Sequence, residues 1–177
     1  GAQFVERLTD AQLLNSYADL PASTEQIIHP EKYLAGEFPI VVALPDLAGR
    51  LGEGWSKFHE DVLGEFTIAL WLSSLGSTNA DIAAAGWGGD RFALLDGPNG
   101  ERAFAAIIVW DEPQEDGAQF TGFLAAALDK SDQYTALTND ERTFGWQSDQ
   151  GITLVQIQAS GRISVVVVPD IESGEKL

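Results

Sequence analysis

The chain reads as an α+β protein. Short helices come first, followed by an antiparallel sheet of about five strands with one packed amphipathic helix. Three observations predict this. The first half carries capping signals and helical spacings, and the second half carries β-branched runs separated by turn residues. Phe120, Phe123, Leu124, Ala127 and Leu128 fall at i, i+3, i+4, i+7 and i+8, which gives a one-sided helix. Placing that helix among the strands gives the order β-β-α-β-β-β.

Each element has its own warrant. Thr9-Asp10-Ala11-Gln12 fits a capping box, so a helix is predicted from Asp10 to Tyr17. Ser23-Thr24-Glu25-Gln26 repeats the pattern, and His29-Pro30 must end or interrupt the second helix. Glu31 to Leu34 adds one more turn. Phe38 to Leu44, bounded by prolines, reads as an edge strand, and Asp46 to Gly54 as a loop. Asp61 to Leu75 is predicted helical, with Val62, Phe66, Ala69 and Leu70 inward and Leu63 and Trp71 widening the stripe. Ser77-Thr78-Asn79 caps a short helix, Ala80 to Ala85.

Arg91 to Asp96 and Ala103 to Trp110 read as strands joined by the turn Gly97-Pro98-Asn99-Gly100. Ala103 to Trp110 is apolar on both faces and therefore central. Asp116 is the predicted cap of the Phe120 helix. Arg142 to Gln147 is a strand, and Ile152 to Gln158 with Ile163 to Val168 form a hairpin turning at Ser160-Gly161. Residues 1–89 thus read as a helical part, 90–170 as a sheet part and 171–177 as a polar tail, together one compact unit.

Composition narrows the function classes. The 27 acids outnumber the 10 bases and give a net charge of −17. Such a surface repels phosphate backbones and anionic membranes, so no nucleic-acid partner is predicted. No apolar run reaches the ~18 residues of a membrane span. The chain has no Cys, which removes disulfide and thiolate chemistry. It also has no Met, so it reads as a processed or shortened product, with Gly1 as a cleavage scar.

Few residues present themselves for chemistry. His59-Glu60 opens like the zinc motif H-E-x-x-H, but position 63 is Leu63, and one imidazole cannot make the helical zinc pair. That dipeptide reads as a polar pair near a helix start. Glu25, His29, Glu31, Lys32 and Tyr33 crowd titratable groups into a helix break, where a histidine can act near neutrality. Packing of a buried His29 explains the same residues without chemistry. Glu65, inside an apolar stripe, faces solvent or is a buried, hydrogen-bonded acid; Glu60 and Asp61 could join it around a cation. No catalytic residue, metal ligand or cofactor is assigned.

The stretch Ala83 to Leu95, "AAAGWGGDRFALL", looks like a phosphate loop but runs in the wrong order. A dinucleotide loop needs strand, glycines, then helix. Here a helix ends, glycines follow and a strand begins. Gly86 is placed as the left-handed helix stop. Trp87 reads as a buried anchor, and Gly88 and Gly89 as positions of positive φ or close packing. Asp90 and Arg91 are read as the first sheet residues, on opposite faces.

Three segments carry a resemblance: "STEQIIHPEKYLAGEFP" (Ser23 to Pro39), "DVLGEF" (Asp61 to Phe66) and "AAAGWGGDRFAL" (Ala83 to Leu94). In this order they resemble a little-characterised bacterial family of secreted or lipid-anchored proteins that have a zincin-like metallopeptidase half with an H-E-x-x-H helix upstream. The likeness runs from Phe4 to Val168, by pattern alone beyond Phe104. It implies an extracellular or cell-envelope location and an upstream peptidase half as partner. It also implies that His29-Pro30-Glu31-Lys32-Tyr33 lies near the peptidase cleft. The zinc helix has no counterpart here, so no residue inherits a zinc-ligand or catalytic role.

The first reading is therefore a non-catalytic C-terminal portion that packs on a peptidase half or shapes its cleft. A second is a stand-alone module that binds a peptide, lipid or protein through an open sheet displaying Trp110 or Trp146. A third, a hydrolase built on His29 and scattered acids, needs His29 bonded to Ser23 or Thr24 at a cleft.

Overall fold

The computed structural model describes residues 1–177, the side chain of Asn139 apart. The N-terminal helices are α1 (Ala2–Arg7), α2 (Asp10–Ser16), α3 (Thr24–Ile28), α4 (Pro30–Ala35) and α5 (Leu47–Leu51). Then follow β1 (Ser56–Asp61), α6 (Gly64–Ser74), α7 (Ala80–Ala84), β2 (Trp87–Asp96) and β3 (Arg102–Trp110). The chain closes with α8 (Glu115–Lys130), β4 (Thr135–Asn139), β5 (Thr143–Ser148), β6 (Gly151–Ile157), β7 (Ile163–Val168) and α9 (Ile171–Lys176).

The protein is α+β. Its single sheet has seven antiparallel strands in the order β1-β2-β3-β7-β6-β5-β4, not five. The central strands β2, β3 and β7 are those with the longest apolar runs. The two extra strands, β1 and β4, are the edges. Both are short and polar, and their pairing is irregular: β1 shifts register between Lys57 and His59, and β4 between Ala136 and Thr138. Neither alternates cleanly, so neither carries a sequence signal.

Helices cover both faces. On one face α6, α7 and α8 bury Ile68, Leu72, Phe120, Leu124 and Leu128 against Ile108, Trp110, Val155, Ile163 and Val165. On the other, α5 and the C-terminal Leu177 pack over Ala93, Leu95, Ala105, Val166 and Val168. Helices α1 to α4 sit at the sheet's end and meet α6 through α3. Among the described residues no helix is long and apolar enough to cross a membrane.

The first capping box forms as read, with Thr9 and Gln12 bonded reciprocally. The second forms by half. Ser23 Oγ accepts from Gln26 N, but the Gln26 side chain reaches past to Ala22 N. The extended segment 38–44 joins no strand. Its backbone meets β2 where Ile40 N donates to Gly88 O at 2.7 Å. The predicted loop 46–54 contains α5, capped by Asp46. The predicted tail 171–177 is largely α9, whose Gly174 lies against Leu154 and Val168. Asp116 does not cap α8; Gln114 holds the cap position, and Asp116 accepts from Glu112 N in the turn before it.

The largest correction concerns α6. Ile68 and Leu72 point inward with Gly64 and Glu65, while Val62, Phe66 and Leu70 are exposed. The helix is apolar nearly all round, so periodicity could not choose its buried face. His59-Glu60 lies in β1, which ends at Asp61 just before α6 starts at Gly64.

The glycine joint has the predicted order. Gly86 has φ of 80° beyond the end of α7, and β2 starts at Trp87, four residues before the predicted Arg91. Gly88 and Gly89 do not have positive φ. They serve close approach instead: a Cβ on Gly89 would collide with the carbonyl of Ile40. Trp87 is 1% exposed. Trp87→Ala should cost about 3–5 kcal/mol of stability, read by denaturant unfolding; a stability loss below measurement would refute its role as anchor.

Candidate functional site

The buried end of β2 organises the site. The Asp90 carboxylate is 2% exposed and accepts three hydrogen bonds. Its Oδ2 takes Leu63 N, and its Oδ1 takes Gly64 N and Trp87 Nε1, each at 2.9 Å. Leu63 and Gly64 open α6, whose first amides have no partner within the helix. Asp90 therefore does from another strand what a capping side chain does locally, and its charge suits the helix N-terminus. Gly64 has φ of 73°, and a Cβ there would lie 2.7 Å from Thr24 Oγ1. Only glycine fits between α3 and the Asp90 carboxylate.

This anchoring places Glu65 inside. Its side chain is 5% exposed, and Oε1 lies 2.9 Å from His29 Nε2. Oε2 is buried with no hydrogen-bond partner among the described residues. The other ring nitrogen of His29 faces Glu31 Oε1 at 3.4 Å. His29 sits at the break between α3 and α4, half-buried, with the exposed carboxylate of Glu31 on one side and the buried one of Glu65 on the other.

A second group adjoins it. Lys32 Nζ bonds Glu25 Oε1 at 2.7 Å and Glu37 Oε1 at 2.9 Å, and also bonds Asp111 Oδ2. Oxygens of Glu25, Glu37 and Asp111 lie within 4.8 Å of one another, a spacing suited to a cation. Lys32 bonds all three, so the cation this cluster holds is the protein's own ammonium.

Burial dominates the acids. Desolvation pushes Glu65 up from the ordinary 4.5, against the hydrogen bond from His29. Desolvation also pushes Glu25 up, against Lys32. Asp90 is pushed up from 3.8 by burial despite the amides of Leu63 and Gly64. Burial would lower Lys32, but the hydrogen bonds it donates to Asp111, Glu25 and Glu37 outweigh it and hold the amine charged.

The six candidate binding residues separate into two groups. Glu25, His29, Glu31, Lys32 and Glu65 converge. Tyr33 turns away, donating to Asp19 O at 2.8 Å and packing on Phe4. Glu60 and Asp61 do not join Glu65; Glu60 bonds Arg91 Nε at 2.8 Å across the sheet edge. Asp90 and Arg91 keep separate partners, as their opposite faces require. Sequence reasoning missed Glu37, Asp111 and the capping role of Asp90. An acid directly after Trp-Gly-Gly was the available signal for Asp90; Glu37 and Asp111 had none. Trp110 and Trp146 are both buried, so the open aromatic face of the second reading is not displayed. His29 bonds Glu65, not Ser23 or Thr24, which takes away the geometry the hydrolase reading needed.

The fold and site define a helix-covered antiparallel α+β domain with a partly buried acid–histidine–lysine cluster at one end of its sheet. The chain belongs to the family of the domain of unknown function DUF8575, whose model matches residues 50–177. That span contains Glu65, Trp87, Asp90 and Asp111; Glu25, His29, Lys32 and Glu37 lie before it. No curated protein and no solved structure matches the chain.

Asp90→Asn keeps the shape but turns an amide N–H₂ toward backbone donors. It should cost about 1.5–3 kcal/mol, the range for a hydrogen bond to a charged group; unchanged chemical unfolding would show that the cap is dispensable. The raised acids set a pH trend. Each holds its proton to higher pH in the folded chain than in the unfolded one, so its contribution is complete below 4.5 and falls as pH rises through the folded value. Glu65→Gln should therefore flatten the fall in Tm above pH 4.5. A slope of Tm against pH in this variant equal to that of the wild type would contradict the assignment.

Proposed function

We propose that this chain is a non-catalytic portion of a zincin-like exported protein, packing beside a peptidase half and helping to shape its cleft. One observation carries the reading. The three segments that resemble that family, far apart in sequence, meet in one bonded cluster. Asp90 of the third holds Leu63 and Gly64 of the second, and Glu65 of the second holds His29 of the first.

The surface around the cluster supports the same reading. Val62, Phe66 and Leu70 are exposed on and just before α6, and Phe38, Ile40 and Val41 are exposed beside it. A groove lined by Pro39 to Val42, Val62, Trp87, Asp90 and Arg91 runs through this region. An apolar collar on a protein of net charge −17 marks a surface suited to being covered by another protein body. Within the chain itself, the histidine is tied to a carboxylate and the lysine to three. Among the described residues no nucleophile is paired with a base.

The reading chain upstream in the gene is the direct test. An H-E-x-x-H helix encoded there supports the proposal, and a signal sequence alone overturns it. In the longer protein, His29→Ala combined with Glu31→Gln should lower peptide hydrolysis roughly tenfold to a hundredfold without changing zinc content. The 177-residue chain alone should bind no stoichiometric zinc by elemental analysis and should cleave no peptide.

A further inference from the structure

β1 is the sheet's open edge. Ser56, Lys57, Phe58, His59 and Asp61 are exposed and Glu60 is half-buried. It pairs with β2 on one side only. Such an edge presents unpaired amides and carbonyls to any strand that can approach.

Charge decides which strand can. At a net charge of −17, most faces of this protein repel a second copy. The β1 edge differs: Lys57 and Arg91 stand beside Glu60 and Asp61, and both bases are ion-paired to Glu60. The strand also reads Ser-Lys-Phe-His-Glu-Asp, which is complementary to itself when reversed. We propose that β1 pairs antiparallel with β1 of a second copy about a two-fold axis, joining the two seven-stranded sheets edge to edge.

In that register Lys57 of each copy faces Glu60 of the other, Ser56 faces Asp61, and Phe58 faces His59. The charged pair is sterically consistent. Lys57 is registered to Leu95 and Glu60 to Ala93, so both project from the same face of the sheet. A two-fold axis perpendicular to the sheet keeps like faces together, so each lysine meets its glutamate, twice per dimer. Phe58, 52% exposed, has no partner on β2 because the register shifts around it. His59 of the second copy supplies an aromatic neighbour of the kind that stabilises cross-strand pairs. A lysine on an edge strand ordinarily discourages pairing; here self-pairing exchanges its bond to Glu60 of its own chain for one to Glu60 of the other. The other edge, β4, reads Thr-Ala-Leu-Thr-Asn and has no charge to select a register.

Sedimentation velocity of the full chain over a wide concentration range tests this. The wild type should form a concentration-dependent dimer. Lys57→Glu alone and Glu60→Lys alone should each weaken it by about tenfold or more, because like charges then face each other twice. Mixed in equal amounts, the two variants should form a heterodimer, since the new acid of one chain faces the new base of the other. Thermal unfolding of each variant shows that it is folded. A wild type that stays monomeric throughout overturns the proposal. Single variants that dimerise as well as the wild type, or a mixture that stays monomeric, overturn it equally.

Discussion

The Asp90 carboxylate is the constraint on which the rest of the cluster depends. One buried acid at the start of the sheet takes two backbone amides from the first turn of α6 and the indole N–H of Trp87. A desolvated carboxylate is costly unless several donors meet it. Those donors must therefore stay in place, and they belong to two elements. The bond network fixes α6 relative to β2 in both translation and rotation. It explains why Gly64 is glycine, why Trp87 is buried beside it, and why Glu65 points inward.

Everything nearer α3 and α4 follows from that placement. With Glu65 turned inside, His29 has a buried carboxylate to bond at the helix break. Lys32, one turn on, gathers Glu25, Glu37 and Asp111 around its ammonium. A buried charge left unpaired would destabilise by several kcal/mol. The cluster is better understood as a set of mutually required partners than as surplus stabilisation. Within the cluster, the second oxygen of Glu65 is buried with no hydrogen-bond partner among the described residues.

Much of the architecture was legible from local patterns. The α8 stripe, the two-faced apolar run of β3, the β6–β7 hairpin and the first capping box all depend on neighbours a few residues apart. The crowding of Glu25, His29, Glu31 and Lys32 was visible for the same reason, because a helix break brings near neighbours together. β1 and β4 were not legible. Their residues are polar and irregular, and only the edge of an existing sheet makes them strands. α9 was missed because a short polar segment turns helical here by packing Gly174 against the sheet.

The sequence by itself determined the α+β class, the central strands, the packed helix and the glycine joint at Gly86, because each is encoded by local spacing and turn chemistry. Only the tertiary structure decided which side of α6 is buried. That helix is apolar nearly all round, and its rotation is set by Asp90, 26 residues from the amide of Gly64 it holds. The same distance in sequence hid the joining of Glu65 to His29 and of Lys32 to Asp111. Long-range pairs of charged groups leave no periodic trace in the chain that forms them.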